Sequence, residues 1–354
     1  MAKAIIAMSG GVDSSVAALM TIRAGYECIG ATMKLFNNED IGESREKSCC
    51  SLEDVDDARS VARTLGMPFY VFNFTDSFNE AVIDNFIDDY ENGRTPNPCI
   101  DCNRYLKFGK MYHRVKEIEY DYVVTGHYAR IEKSGGRYLL KKAVDGTKDQ
   151  SYVLYCMTQD QLAHTLFPLG GYKKSEVREI AKKNGFINAK KRDSQDICFV
   201  QNGSYTDFIK QYTGKSYPEG DFVDENGNKL GRHKGIIYYT VGQHKGLGIV
   251  TDEPMYVKKI CPQTNTVVLS NSEGLFTKTL FANNINLIST DNIYTPMKIS
   301  AKIRYRQKEQ SATVVQTDDD TIKVEFDEPQ RAITSGQAVV LYDGDIVVGG
   351  GTII

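Results

Sequence analysis

Cys99 and Cys102 are the side chains of this chain that most directly indicate sulfur or metal chemistry. Two cysteines at this spacing can bring both sulfurs to one centre. Pro96 and Pro98 precede Cys99 closely, so the backbone there is expected to be rigid and either extended or turning.

A second stretch that could do chemistry lies near the N-terminus, from Ala4 to Ser15. Its apolar start predicts a buried parallel strand, and Gly10 and Gly11 then allow a tight turn. A helical pattern opens at Asp13. Strand, glycine turn and helix start together point unpaired backbone N–H groups at an anion, although an ordinary glycine turn has the same outline. No lysine follows the glycines, which excludes the common phosphate-binding loop with Gly-Lys-Ser/Thr.

Alternating strand and helix patterns must position both stretches. Further strands are predicted at 27–33, 68–74 and 122–125, and helices at 52–66, 78–90 and 107–116, with a polar loop at 37–48. This alternation predicts an α/β fold, a doubly wound parallel sheet whose strand ends line a ligand crevice.

The composition of the chain changes near Gly203, after which glycine, aromatic and β-branched residues become more frequent. A hairpin strand is predicted earlier, at 137–142. From Phe281 onward, short alternating strands predict a small antiparallel β-barrel. These strands are expected at 298–304, 311–316, 321–326, 338–342 and 346–350.

Composition is that of an ordinary globular protein, with 354 residues, 41% hydrophobic and 25% charged. The net charge of −3 excludes a basic nucleic-acid binder as a whole, but residues 173–192 hold eight Lys/Arg against two Glu. That cluster could hold a polyanion or form a solvated helix face. We see no apolar run of membrane-spanning length and no signal peptide, so we expect a cytoplasmic protein without a membrane partner. Its eight cysteines are then expected to be catalytic, metal-binding or buried rather than structural disulfides.

Seven blocks in order indicate a family. The N-terminal loop resembles the pyrophosphate (PP) loop of the ATP pyrophosphatase superfamily, in which ATP adenylates a substrate. With the other blocks, the chain resembles tRNA-specific 2-thiouridylases, which thiolate the wobble uridine (position 34) of certain tRNAs. The blocks are SGGVDSS at 9–15, GRTPNPCIDCN at 93–103, GHYAR at 126–130, KDQSYVLY at 148–155, SQDICF at 194–199, YYTVGQHKGLGI at 238–249, and RYRQ at 304–307 with SGQ at 335–337.

The resemblance implies three domains: an adenine nucleotide alpha-hydrolase-like PP-loop domain at 1–204, a small central tRNA-contacting domain at 205–278, and the barrel at 279–354. It implies ATP contacts at Ala7, Met8, Ser9, Gly10, Gly11, Val12, Asp13, Ser14, Met33 and Gly126. It implies tRNA contacts, at the anticodon loop, for Asn97, Pro98, Cys99, His127, Lys148, Asp149, Gln150, Arg304, Tyr305 and Gln337.

The resemblance also assigns the chemistry. Cys102 and Cys198 fall on the two catalytic cysteines, of which one carries sulfur as a persulfide and the other attacks or receives. Sulfur would come from a partner, a persulfide carrier protein or cysteine desulfurase. Adenylation makes the uridine C2 oxygen a good leaving group, and Asp13 is the nearest candidate to organise Mg²⁺. Arg104 or Lys107 could supply positive charge beside Cys102.

Cys99 departs from the family pattern, which often has Asp there as a proton shuttle. Either Asp101 takes over that work or none is needed. Alternatively, Cys99, Cys102 and Cys198 resemble the three-cysteine seat of an iron–sulfur cluster, such as [4Fe–4S], in other tRNA thiolases. Persulfide relay is favoured somewhat over the cluster. A zinc site formed by Cys99, Cys102 and the adjacent Cys49 and Cys50 ranks low, because neighbouring cysteines are awkward tetrahedral partners.

Two other functions compete with tRNA thiolation. One is a different adenylating PP-loop synthetase, which would need a glutaminase cysteine or an ammonia route. The other is a non-catalytic tRNA-binding or cysteine-rich scaffold, against which the intact loop at 9–15 argues. Cys28, Cys156 and Cys261 are expected to be simply buried.

Overall fold

A computed structural model describes residues 1–36, 52–191, 193, 197–200 and 204–354. The predicted loop at 37–48, Cys49, Cys50 and the start of the 194–199 block lie outside the described residues. The chain divides into two compact units. The first comprises residues 1–82, 98–208 and 345–347, and the second comprises 83–97, 209–344 and 348–354.

The helices and strands that the sequence predicts all occur in the predicted order, and the structure contains further elements between them. The α-helices are α1 Val12–Arg23, α2 Leu52–Thr64, α3 Thr75–Phe78, α4 Asp84–Glu91, α5 Pro98–Asp101, α6 Met111–Glu117, α7 Ser151–Leu154, α8 Gln159–Ala163, α9 Lys174–Lys183 and α10 Tyr205–Thr213. The strands are β1 Lys3–Ala7, β2 Glu27–Lys34, β3 Phe69–Asn73, β4 Tyr122–Val124, β5 Ala129–Ser134, β6 Arg137–Lys142, β7 Thr165–Leu166, β8 Gly220–Val223, β9 Lys229–His233, β10 Tyr256–Cys261, β11 Thr266–Ser270, β12 Phe276–Leu287, β13 Met297–Lys302, β14 Gln310–Asp318, β15 Thr321–Arg331, β16 Ala338–Asp343 and β17 Ile346–Ile353.

The first unit is built on a parallel sheet with strand order β3-β2-β1-β4-β7, which confirms the doubly wound α/β fold. β1 lies between β2 and β4, with Ile5 opposite Ile29 and Val123. Ala4, Ile5 and Ile6 in the middle of this strand are fully buried, because the apolar run has no polar face to present to water. The helices α1, α2 and α9 contribute to one core with the sheet, and α1 packs directly on α9.

Two helical stretches of the first half differ from the sequence prediction. The helix predicted at 78–90 consists of α3, a π-helical turn at Asn79–Ile83 and α4. The helix predicted at 107–116 begins earlier, with a π-helical segment from Cys102 to Lys110 that leads into α6. Apolar spacing alone does not distinguish these wider turns from an α-helix, and such turns are frequent at functional sites.

The second unit contains two β structures. A four-stranded sheet has the order β10-β11-β8-β9, around a core that includes Phe222, Val257 and Leu269. The strands β12-β15-β14-β13-β16-β17 form an antiparallel sheet that closes where β12 pairs with residues 349–353 of β17. This confirms the predicted C-terminal barrel. Among the described residues, no helix combines the length and apolar composition needed to cross a membrane.

Candidate functional site

The N-terminal loop of the first unit is held in shape by its own serines. Ser14 Oγ donates to Gly11 O at 3.0 Å and accepts from Ser9 N at 3.3 Å, and Ser15 Oγ donates to Gly11 O at 3.0 Å. No side chain of the described residues caps the N-terminus of α1. Its first N–H groups have no partner within the helix, so this end of α1 can receive an anion.

Gly10 is required by the local backbone. Its φ is +72°, and a Cβ there would lie 2.7 Å from the Cα of Asp54, which is closer than real side chains come. Gly126 at the end of β4 is equally close to the loop, because a Cβ would lie 2.8 Å from Ser14 N. The glycines therefore let the loop pack between two other segments of the unit.

We expect Gly10→Ala to lower the free energy of unfolding by about 2 kcal/mol or more, since a left-handed backbone and a clash add together. Gly25→Ala is the matched control: its φ is +87°, but nothing lies within 4 Å of its Cβ position. Urea unfolding of both variants measures the difference. Equal losses of stability would contradict the close approach of Asp54.

A lysine far along the chain reaches the loop. Lys174, the first residue of α9, places Nζ 2.7 Å from both carboxylate oxygens of Asp13 and is only 8% exposed. Tyr128 donates its hydroxyl to Asp13 at 2.9 Å. Burial, together with the nearby Asp13, raises the pKa of Tyr128, so its phenol stays protonated and donates. The positive charge absent from the loop sequence is thus supplied by α9.

Asp193 collects three cations beside this pair. Lys174 and Lys148 approach it at 2.8 Å and Arg178 at 3.0 Å. Burial would raise the pKa of Asp193, but hydrogen bonds from Lys148 and Lys174 outweigh it and lower that pKa to about 2. Its carboxylate is therefore charged at any physiological pH.

The basic cluster at 173–192 is thus partly turned inward. Lys174 and Arg178 bind the acids at the loop, and Lys191 binds Asp54 and Asp57 at 2.6 and 2.7 Å. Arg192 lies outside the described residues. These three side chains do not form a solvated helix face, because each is held in ion pairs with acids of the same unit. The alternative that the cluster binds a polyanion stays a prediction.

Asn188 contacts the N-terminal loop, a role that the sequence analysis did not predict. Its Nδ2 donates to Gly10 O at 2.8 Å and to Ser15 Oγ at 2.9 Å, and the residue is 3% exposed. Its Oδ1 is buried without a hydrogen-bond partner among the described residues. A lone asparagine carries no sequence signal of this role, since the contact spans 178 positions.

Cys99 and Cys102, which lie close together in the sequence, occupy different environments. Cys99 on α5 is exposed, whereas Cys102 is half-buried at the start of the π-helical segment. Burial raises the pKa of the Cys102 thiol, Lys107 opposes that rise, and Cys99 and Asp101 add to it. Of the two predicted cations, Lys107 is the one that acts on Cys102.

Arg104 lies elsewhere. Its guanidinium lies 6.0 Å from the ring centre of Tyr155 and 3.4 Å from that hydroxyl. The prediction that Arg104 supplies charge beside Cys102 is therefore not supported, because its side chain is directed to Tyr155 and Cys156.

We expect Cys102 to react slowly with iodoacetamide near pH 8 and faster as the pH rises, because its pKa lies above the ordinary value of 9.0. Removing the cation in Lys107→Met should raise that pKa further and slow the reaction roughly threefold, because a smaller fraction of the thiol is ionised. Lys110→Met, an exposed position in the same segment, is the control. Tandem mass spectrometry separates Cys102 from Cys99; a rate unchanged in Lys107→Met would contradict the electrostatic role.

His127 is a buried residue at the end of β4, 8% exposed. Its Nδ1 lies 2.7 Å from Thr125 Oγ1, and its ring packs 6.0 Å from Phe108 and 5.9 Å from Phe167, between ring centres. Burial, together with the charge of Lys107, holds the pKa of His127 well below 6.5, so the imidazole is neutral. Lys107 therefore acts on both His127 and Cys102.

Cys198 is half-buried at a turn where Val200 N donates to Ile197 O at 3.0 Å. The next residue, Phe199, is 1% exposed and packs edge-on against Phe78 at 5.7 Å. This ring anchors the segment that carries the thiol. Cys102 and Cys198 both belong to the first unit.

Among the described residues, no three His, Cys, Asp or Glu side chains lie together so that they could hold a metal ion. The set Cys99, Cys102 and Cys198 is therefore not assembled as a cluster seat. The zinc alternative includes Cys49 and Cys50, which lie outside the described residues. Cys28 and Cys156 are buried as expected, and burial raises the pKa of each thiol to about 11, whereas Cys261 is half-buried.

The remaining predicted contacts fall into both units. In the first, Lys148 binds Asp193, Asp149 Oδ2 accepts from Ser151 at 2.7 Å, and Gln150 Oε1 accepts from Tyr128 N at 2.9 Å. Pro98 is buried, and Met33 is half-buried at the end of β2.

In the second unit, Gln337 Nε2 donates to the carbonyls of Thr95 and Pro96, at 2.9 and 3.0 Å. This bond fixes the segment that ends at Asn97. Arg304 Nη2 donates to Ala332 O at 2.5 Å, and Tyr305 is 39% exposed.

Comparison with known proteins covers nearly the whole chain. Three family descriptions match: "tRNA methyl transferase HUP domain" at residues 2–202, "tRNA methyl transferase PRC-barrel domain" at 206–271 and "Aminomethyltransferase beta-barrel domain" at 277–353. A relative from Clostridioides difficile (strain 630), named tRNA-specific 2-thiouridylase MnmA, is 56% identical over 353 residues, with 99% of this chain and 98% of that protein covered.

Relatives of the same name occur in other bacteria. The one from Acetivibrio thermocellus is 52% identical over 355 residues, covering 99% of each chain. The one from Lachnoclostridium phytofermentans is 51% identical over 356 residues, covering 100% of each.

Proposed function

Because the chain belongs to the tRNA-specific 2-thiouridylase family, we propose that it replaces the C2 oxygen of the wobble uridine of tRNA by sulfur, using ATP. It is accordingly a tRNA sulfurtransferase, and neither competing function finds support in the comparisons. The observation that carries the proposal is the loop of the first unit, where an uncapped helix N-terminus and the buried Lys174 meet at Asp13.

ATP is proposed to bind with its phosphates at this loop, through residues Ala7 to Ser14, Met33 and Gly126. A polyphosphate at the N-terminus of α1 would otherwise face the negative charge of Asp13. Lys174 offsets that charge and offers a cation to the departing pyrophosphate. The role of Asn188 is to hold the carbonyl of Gly10 so that the loop keeps its shape.

The first step is attack of the uridine C2 oxygen on the α-phosphorus of ATP. A P–O bond forms, the bond to pyrophosphate breaks, and the uridine carries AMP on its C2 oxygen. The base must be splayed out of the anticodon loop to reach the site. His127, neutral and held by Thr125, is proposed to contact the target base, and Pro98 and Cys99 to flank it. Asn97 is proposed as a further tRNA contact.

In the second step a persulfide on one of Cys102 and Cys198 attacks C2, and AMP leaves with the oxygen. The other cysteine then attacks the sulfur that is bonded to protein. The sulfur–sulfur bond breaks, 2-thiouridine is released, and a Cys102–Cys198 disulfide forms that a thiol reductant must reduce by two electrons. Because burial raises the pKa of the Cys102 thiol, we propose that this thiol stays protonated and unreactive until substrate arrives. Asp101 is proposed to move protons there in place of the missing aspartate at 99.

Mg²⁺ is proposed to enter with the ATP phosphates. The carboxylate oxygens of Asp13 already accept from Lys174 and Tyr128, so Asp13 does not offer a carboxylate dedicated to the ion. Mg²⁺ commonly keeps several waters and needs only one or two carboxylates beside substrate phosphates. When bound, the ion offsets phosphate charge.

An iron–sulfur cluster does not fit the described side chains, because no three ligands lie together. We therefore propose the persulfide relay, supplied by a persulfide carrier protein or cysteine desulfurase. Anaerobic purification with iron analysis distinguishes the relay from the cluster. An iron-free, colourless protein that thiolates tRNA supports the relay. A protein that contains iron and loses activity when the iron is removed would overturn it.

The remaining assignments are proposals of the same kind. We propose the three-domain division at 1–204, 205–278 and 279–354, which the three family matches support. We propose tRNA contacts at Lys148, Asp149 and Gln150 in the first unit. Arg304, Tyr305 and Gln337 are proposed to contact tRNA from the second.

The test of function is the mass of tRNA nucleosides after incubation with enzyme, ATP, a persulfide donor and a thiol reductant. We expect an oxygen-to-sulfur exchange on uridine that requires ATP. Unchanged uridine in the presence of all components would contradict the proposal.

A further inference from the structure

The second unit contains a cleft of about 560 Å³ on the C-terminal barrel. Three arginines line it, Arg304, Arg306 and Arg331, against one acid, Glu328, and Phe276 stands at its edge with 48% of its surface exposed. Only Arg304 is among the contacts expected from the sequence. A cleft with this balance of charge favours a polyanion.

The floor of the cleft is polar and fixed. Gln307 Nε2 donates to Gln330 Oε1 at 3.0 Å, and Gln330 Nε2 donates to Glu328 O at 2.8 Å. Gln330 is 5% exposed. Because these amides satisfy one another, the charged walls rest on a rigid base rather than on a flexible loop.

Arg331, on one wall of the cleft, packs against an aromatic pair formed by Tyr256 and His244. Its guanidinium is 4.9 Å from the ring centre of Tyr256, and the rings of Tyr256 and His244 lie 5.0 Å apart at 34°. The turn that carries His244 is tied to β10, since Gly242 N donates to Val257 O at 2.7 Å. The block at 238–249 has no part in the proposed reaction steps. It thus places the His244 ring beside Tyr256, next to the cleft.

Arg306 is exposed, and within the described part of the chain no acidic side chain pairs with it. An exposed arginine without an acid partner carries its full charge toward solvent. Arginines interleaved with aromatic rings are the combination that binds single-stranded or looped RNA, through phosphates and base stacking.

We propose that this cleft binds the sugar–phosphate backbone of tRNA, with Arg306 and Arg331 on phosphates and Phe276 stacking on a base. The inference rests on the proposed function and adds binding residues to it. An acidic protein partner would also be attracted by the arginines. However, a fixed amide floor and edge-exposed aromatic ring match nucleotide chemistry better.

The test measures tRNA affinity at several salt concentrations for the wild type, Arg306→Ala, Arg331→Ala and Phe276→Ala. Each arginine variant should weaken binding roughly five- to tenfold and lower the salt slope by about one. Phe276→Ala should weaken binding with an unchanged slope, since stacking is not ionic. Lys259→Ala, an exposed lysine on β10, is the control for loss of one charge.

The readouts separate failure of the inference from failure of the function. Thiolation at limiting tRNA, with a small-molecule persulfide as donor, should fall in each of these variants in proportion to its loss of tRNA affinity, whereas Lys259→Ala should match the wild type. A wild type that thiolates tRNA, with variants that bind it unchanged, would overturn the inference alone. Normal tRNA binding with loss of activity only when a donor protein supplies sulfur would also overturn it, in favour of a protein-docking cleft.

Discussion

Lys174→Ala is expected to lower kcat/KM for pyrophosphate release by roughly 10²–10³-fold, the loss typical when one preorganised charge-stabilising group is removed. The lysine is buried against Asp13 and Asp193, 2.7 and 2.8 Å away. Removing it leaves the charge of Asp13 facing the phosphates and withdraws the cation from the departing pyrophosphate. The effect should therefore fall on kcat as well as on KM.

The matched control is Lys182→Ala, an exposed lysine in the last turn of the same helix, which should retain wild-type rates. Because breaking a buried ion pair can also destabilise the fold, urea unfolding is measured in parallel. The double variant Asp13→Asn with Lys174→Met removes both charges and should recover stability without recovering activity. A Lys174 variant with normal pyrophosphate release would contradict the assignment.

Cys102→Ser and Cys198→Ser are each expected to abolish 2-thiouridine formation, a loss of at least about 10³-fold, since serine can neither hold a persulfide nor break one. Adenylation does not use the thiols. Single-turnover pyrophosphate release with ATP and tRNA should therefore continue in both variants, and tRNA affinity should stay within about twofold, because one sulfur-to-oxygen change removes no charge contact.

Cys156→Ser and Cys28→Ser serve as controls, because these buried thiols have pKa values raised to about 11 and lie outside the proposed relay. Thiolation retained by either Cys102→Ser or Cys198→Ser would show that the relay is assigned wrongly. Loss of activity in Cys99→Ser together with bound iron would instead revive the cluster.

The sequence predicted the parallel sheet, the barrel and the loop because each follows from local periodicity or from a contiguous motif. Lys174 and Asn188 could not be found that way. They reach the loop across 161 and 178 positions, and only the packing of the folded chain brings them there. The sequence shows the basic cluster at 173–192, but counting charges does not predict which of its lysines turn inward toward Asp13 and Asp54.

The cysteine region shows the same limit. Helical spacing predicted a helix near Lys107 but not its π-helical form beginning at Cys102. Both Arg104 and Lys107 were plausible neighbours of the thiol, and only the path of the wider helix directs Arg104 to Tyr155 and leaves Lys107 to act on Cys102.

In the proposed reaction, ATP activates the tRNA base before sulfur attacks it. Pyrophosphate release from ATP in the absence of any sulfur donor, measured with and without unmodified tRNA, tests this order of steps. We expect a burst of about one pyrophosphate per active site that requires tRNA. Release that is equal with and without tRNA, or absent until a sulfur donor is added, would contradict it.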